Sequence, residues 1–198
     1  MTDKYGSGQD KYCYFGTDVL KNLLNIKDSG LLALAERDIT DITANLIEFS
    51  SPPYDLNYLC NIHGQLFGDI FDWAGKLRDV DISKATTRFC NVNRILPEAN
   101  KIFSSLAQKN YFEGLSRVEL VKWAAEYYAE INMLHPFREG NGRAQRILFE
   151  HIIVNAGFEI DWTDVQSEEW LAANIESVVC DYRKLESVFD RCIGEEII

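Results

Sequence analysis

Residues 116–146 read SRVELVKWAAEYYAEINMLHPFREGNGRAQR, and the two halves of this stretch obey different rules. In the first, Ser116 followed three residues later by Glu119 is a capping-box pattern, each side chain serving the other residue's backbone N–H. Val121, Ala124, Tyr128 and Ile131 then recur at spacings of three, four and three, which places them on one buried helix face. Pro136 ends that helix, because the residue before a proline disfavours helical geometry. The second half, residues 135–146, gathers one His, one carboxylate, three Arg, an Asn and two Gly into twelve positions. Helical pattern resumes from Arg143 to about Ala156, with Gly157 at the C-terminal stop.

Most of the remaining chain shares the helical period. Gly30 to Phe49 is a long apolar-periodic stretch stopped by Ser51-Pro52-Pro53. Asp55 caps a helix to about Phe71. Pro97 suits the first turn of a helix ending near Lys109. Two more run from Ser167 to Ser177 and from Tyr182 to Ile193. RDVDISKATTRFCNV, residues 78–92, breaks the period: Val80 and Ile82 alternate with charged or polar neighbours, and Thr86, Thr87 and Phe89 favour extended backbone. This predicts a short β-hairpin turning near Lys84-Ala85. The expected class is all-α, a helical bundle with a small hairpin. A single domain is expected over residues 1–198, with its core at about 55–195 and an N-terminal helical segment at about 17–50.

The net charge of −11 argues against nucleic acid and anionic membrane surfaces as partners, since both need clustered Lys and Arg. Five cysteines, an odd number without CxxC spacing, suggest reduced thiols rather than a disulfide framework or zinc site. The start, MTDKYGSGQDK, has no signal-like apolar core, and no apolar run approaches the ~20 residues that span a bilayer. A cytoplasmic protein is expected.

The chemistry concentrates in residues 135–146. Gly140, Asn141 and Gly142 precede a helix and leave backbone N–H groups beside the positive end of its dipole, an arrangement that suits phosphate. Arg143 and Arg146 follow, where their guanidinium forks add bidentate contacts to phosphoryl oxygens. Cations at a helix N-terminus oppose the dipole, a cost that an anion between them would offset. Glu139 suits Mg²⁺, which favours one or two carboxylates with substrate phosphates. His135 stands where a base could take a proton from an attacking hydroxyl. Each part has a plainer reading alone: a Gly-Asn-Gly turn, a structural His, a Glu139–Arg143 surface pair. The sequence is not a P-loop, and one His with one Glu is a poor zinc set. Trp73 and Cys90 read as core and inert thiol respectively.

HPFREGNGRAQR fits HxFx(D/E)GNGRxxR, the motif of the Fic family, at His135, Phe137, Glu139, Gly140, Asn141, Gly142, Arg143 and Arg146. IHGQLFGDIFDWAGKLRDVDIS, residues 62–83, resembles the helix and hairpin flap that precede the motif. YGSGQDKY and VLKNLLNIKD resemble the bacterial cell-filamentation members. The resemblance implies a Fic fold and transfer of AMP from ATP to a Tyr, Thr or Ser hydroxyl of a target protein, with ATP and Mg²⁺ as cofactors. It implies His135 as general base, Glu139 as Mg²⁺ ligand, and Gly140, Asn141 and Gly142 as an anion nest with Asn141 on the α-phosphate. Arg143 and Arg146 would hold the outer phosphates, with Phe137 anchoring the loop. Asp81, Ile82, Ser83 and Lys84 of the flap would dock an extended target segment by strand addition. Phosphoryl-transferring relatives carry Lys where this chain has Gly142, which favours nucleotidyl transfer here. Many members carry an inhibitory helix, (S/T)xxxE(G/N), whose Glu pairs with the second motif Arg. No Ser or Thr of this chain begins that pattern, so a small separate antitoxin supplying the helix is expected. Similar toxins act on type II topoisomerase subunits, though nothing in this sequence selects that target. The alternatives are a nucleotide-binding protein without turnover, or a Fic transferase that uses UMP or phosphocholine donors.

Overall fold

The structure, a computed structural model, describes residues 10–197. Seven α-helices and two small antiparallel strand pairs are found among them: α1 (Ser29–Ala44), α2 (Leu56–Phe67), β1 (Ser83–Lys84), β2 (Thr87–Arg88), α3 (Ile95–Gln108), α4 (Arg117–Leu134), α5 (Asn141–Asn155), β3 (Phe158–Ile160), α6 (Ser167–Ser177), α7 (Arg183–Cys192) and β4 (Ile193–Glu196). The mostly helical class and the hairpin are as expected. No helix among the described residues is long and apolar enough to cross a membrane.

Helix α4 starts as its capping box requires: Ser116 accepts from Glu119 N–H, and the Glu119 side chain accepts from Ser116 N–H. Asp55 caps α2 by accepting from Tyr58 N–H at 2.8 Å. Helix α5 is the centre of the bundle. Its inward residues, among them Ala144, Leu148, Phe149, Ile152 and Ile153, are buried against α2 and α4. Tyr128 on α4 packs its ring on Phe149, Trp170 and Phe189, joining α4, α5, α6 and α7 in one aromatic cluster. Burial of this kind supplies most helical stability, because isolated helices of these lengths are marginal in water.

Four local readings need correction. Helix α1 ends at Ala44, not Phe49, because the Asn45 amide donates to the Asp41 carbonyl at 2.7 Å and closes the last turn ahead of the prolines. Residues 17–28 are not helical, for Asn22 bonds the backbone of Leu20 and Ile26 and holds a loop in place of a helix ladder. Helix α2 stops at Phe67, with Gly68 as its C-cap, where Asp55 to Phe71 was expected. The hairpin register pairs Lys84 with Thr87, so the turn lies at Ala85-Thr86, one residue later than expected. The β3–β4 pair was not foreseen, since strands of three and four residues carry too few alternations to read.

Asp10, ahead of α1, lies beside the 135–146 loop. Residues 5–9 of the YGSGQDKY stretch fall outside the described residues, but Asp10 does not. Its Oδ2 accepts from Arg138 Nε at 2.5 Å, and the two side chains are 0% and 2% exposed. Lys11 and Tyr12 both bond Asp79, next to the flap. Removing one partner of a buried, hydrogen-bonded pair is destabilising, so Asp10→Ala is expected to cost ~2–3 kcal/mol in urea unfolding. A loss below ~1 kcal/mol would mean that the pair tethers nothing.

Candidate active site

The loop 135–140 is fixed at both ends by backbone geometry. His135 is the C-cap of α4 in the left-handed region, φ 45° and ψ 61°. Gly140 begins α5 at φ 80°. A Cβ at residue 140 would meet Phe67 ring carbons at 2.4 Å, so both conformation and space require glycine there. Asn141 closes the loop from inside: its Oδ1 accepts from Phe137 N–H and its Nδ2 donates to the Phe137 carbonyl, each at 2.8 Å. The Asn141 side chain is therefore occupied in holding the loop, and its backbone N–H in the first turn of α5 is what remains for an anion. Phe137 is fully buried, face to face with the His63 ring at 3.9 Å, an anchor as expected.

Three groups that position this loop were not singled out from sequence. His63 on α2 accepts from Gly75 N–H at Nδ1, so its Nε2–H donates to the Glu139 carbonyl, both at 2.9 Å. Arg78, whose side chain is wholly buried, donates to the carbonyls of His135 (2.8 Å), Val80 (2.7 Å) and Cys90. Arg78 N–H also donates to the Pro136 carbonyl at 2.9 Å. Glu36 on α1 pairs with Arg143, which also donates to Thr40 Oγ at 3.1 Å and lies over the Phe67 ring. Glu36 carried no distinguishing signal, since it stands beside Arg37 and Asp38 on a helix of mixed polarity. Arg78 and His63 gave no signal, because a single Arg or His in a periodic stretch does not reveal the carbonyls it will meet.

His135 is set up as a base. Its Nδ1 lies 3.0 Å from the Asn132 carbonyl, which can only accept, so Nδ1 carries the proton and Nε2 the lone pair. Phe89 of the hairpin stacks on the ring at 3.8 Å and 14°. Burial pushes the imidazole down to about 4, against a smaller upward pull from the Asn132 bond and Glu139. The neutral form, with Nε2 able to accept a proton, is thus the form present at pH 7.

Of the three residues expected to form an anion nest, Asn141 and Gly142 lie in the first turn of α5, where backbone amides have no helical partner. Helix α5 has no side-chain N-cap, and a Cβ on Gly142 would meet nothing within 4 Å. Gly142 is helical, and Gly in a helix costs ~1 kcal/mol relative to Ala. Nothing in the fold needs that cost, so the space over Gly142 suits close approach of a phosphate. Glu139 borders this space; its Oε1 accepts from Gly140 N–H at 3.2 Å. No cluster of three or more metal-ligating side chains occurs among the described residues. Arg146 lies over the faces of Trp170 and Trp162.

The flap divides. Asp81 accepts from Val92 N–H and the Asn91 amide, each at 2.8 Å, and Ile82 is buried with Phe89 and Val80, so the side chains of these two hold the flap's base. Ser83 and Lys84 form β1, which pairs with β2 in the antiparallel hairpin. Trp73 is core, stacked on Phe71 at 4.4 Å. Burial pushes the Cys90 thiol up, consistent with an inert thiol.

The pH dependence of folding follows. His63 and His135 sit at about 4 in the folded chain, against 6.5 unfolded, both chiefly because burial disfavours the cation. The unfolded chain therefore binds more protons between these values. Their contribution is complete above pH 6.5 and is lost as pH falls towards about 4. Lowering pH from about 7.5 to about 5 should remove roughly 2 kcal/mol of stability per histidine, and His135→Asn should remove its share of that slope. An unchanged slope in the variant would contradict the burial argument.

The geometry can be set beside known proteins. The model of the Fic/DOC family matches residues 53–153. A probable protein adenylyltransferase Fic from Escherichia coli K12 is 40% identical over 195 residues, covering 98% of each chain. Protein adenylyltransferase VbhT from Bartonella schoenbuchensis is 39% identical over 176 residues, covering 88% of this chain and 37% of that protein. The crystal structure of BepC from Bartonella tribocorum with bound AMPPNP superposes with a TM-score of 0.87 at 28% identity, covering 93% of this chain and 97% of that one. The motif, the fold that frames it and kinship along nearly the whole length agree, and the chain belongs to the Fic/DOC family.

Proposed function

We propose that this chain is a protein adenylyltransferase that moves AMP from ATP to a hydroxyl side chain of a target protein and releases pyrophosphate. The single observation that carries this reading is the pairing of a neutral His135, its Nε2 lone pair set by the Nδ1–Asn132 bond, with an uncapped Gly-Asn-Gly helix start five residues on. The target hydroxyl oxygen attacks the α-phosphorus, and Nε2 of His135 takes its proton. The bond from the α-phosphorus to the bridging oxygen breaks, and the pair leaves with pyrophosphate. The first-turn amides of α5 and Gly142 receive phosphoryl oxygens, and Arg146 receives the outer phosphates. Mg²⁺, held by Glu139 together with the phosphates, would neutralise charge on the leaving group. The flap strand β1, Ser83 and Lys84, adds to the target backbone and presents the target hydroxyl to His135.

The adenylyltransferase names of the relatives and the bound nucleotide analogue in the BepC structure support this reading. The assignment departs from the sequence expectation at two residues. Asn141 acts through its backbone, since its side chain holds Phe137. Arg143 is a clamp to α1, since Glu36 already neutralises it. Arg146, which an inhibitory Glu would address, has no such Glu among the described residues, in keeping with a brake supplied by a separate antitoxin.

Label transfer in a cell lysate tests the reading, with ATP labelled at the α- or the γ-phosphate. Protein labelling from the α-position alone, reduced at least ~100-fold by His135→Ala, is the expected result. Transfer of γ-label would establish kinase chemistry instead. Absence of both, with ATP still bound, would favour a binding protein or a UMP or phosphocholine donor.

A further inference from the structure

The two motif arginines sit in different electrostatic company. Arg143 has the Glu36 carboxylate. Arg146 forms no ion pair among the described residues; the nearby carboxylate that feels its charge is Glu150, one helical turn on. Its guanidinium carbon lies 5.0 Å from the centre of the Trp170 ring and 5.9 Å from that of Trp162. The two indoles meet edge to face at 5.6 Å and 70°. Trp162 comes from the segment after β3 and Trp170 from the first turns of α6, so two separate elements converge on one cation. Trp170 is itself fixed from behind by Tyr128, edge to face at 4.9 Å.

An indole face attracts a guanidinium without cancelling its charge. A carboxylate in the same place would orient the arginine equally well and would also neutralise it, as Glu36 does to Arg143. An aromatic shelf limits the rotamers of a long side chain and leaves all its N–H donors for an anion. That arrangement is what a phosphate ligand needs before substrate arrives, because ordering a free arginine at binding costs affinity.

We propose that Trp170 and Trp162 are positioning residues that hold Arg146 charged and preordered for the outer phosphates of the nucleotide. The assignment rests on the reading of Arg146 as a phosphate ligand. It predicts a selective effect. Removing the shelf weakens nucleotides that carry β- and γ-phosphates and spares AMP, which has neither. A role confined to core packing would affect both alike.

Calorimetric titration of the full chain with ATP and with AMP, in the presence of Mg²⁺, separates these cases. Trp170→Ala should weaken ATP binding about 5–10-fold and leave AMP within about 2-fold, whereas Trp170→Phe, which keeps an aromatic face, should recover most of the ATP affinity. In an Arg146→Ala background, Trp170→Ala should cause no further loss, since the two side chains act through one contact. Three results would overturn the shelf while the phosphate reading stands: ATP affinity unchanged in Trp170→Ala, equal losses for ATP and AMP, or additive losses in the double variant. ATP affinity unchanged in Arg146→Ala alone would overturn the phosphate reading, and the shelf with it.

Discussion

One buried guanidinium ties the catalytic loop to the flap. Arg78 carries a full charge in the interior, which is tolerable only when its donors are met. Carbonyls of His135, Val80, Cys90 and Leu134 accept from it, with the Asp81 carboxylate at 3.9 Å as its ion-pair partner among the described residues. These groups belong to the end of α4 and to both arms of the hairpin. Shifting any of them leaves a charged donor unpaired in a dry site, so the end of α4 and the flap are constrained to move together. The left-handed backbone of His135, unfavourable for a non-glycine residue, is held by the same contact. His135 and the hairpin are in this way referenced to a single rigid group.

Around that point the loop is pinned from three sides. His63 holds the Glu139 carbonyl from α2, Asn141 holds Phe137 from α5, and Asp10 holds Arg138 from the chain before α1. None of these contacts needs a ligand. The loop is thus organised in advance, and binding energy need not be spent on ordering it. Beside the first-turn amides of α5, the two arginines then differ in use: one is locked to α1, the other kept charged on an aromatic shelf.

What the sequence disclosed follows from where information is local. The capping box at Ser116, the cap at Asp55, the proline after His135 and the apolar face of α4 act within one or two helical turns, and these elements formed where expected. The motif from His135 to Arg146 was legible for the same reason, its residues being contiguous. The groups that the sequence left hidden act over long separations. Arg78 reaches a carbonyl 57 residues away, Arg143 a carboxylate 107 residues away, and Asp10 an arginine 128 residues away. No local pattern marks such partners. Asn22 and Asn45 misled the boundaries of the first helical segment, because a side-chain amide can replace a backbone ladder without changing the hydrophobic period.

The central claim is that the fold sets the state of His135, neutral with its lone pair on Nε2. Nitrogen-15 NMR of histidine-labelled protein, titrated from neutral pH downwards, measures this directly. The account predicts an Nδ1–H tautomer for His135 that takes up its second proton near 4. An Nε2–H tautomer, or titration at the ordinary 6.5, would contradict it, for the nitrogen meant to receive the target's proton would then already carry one or the ring would lie in open solvent.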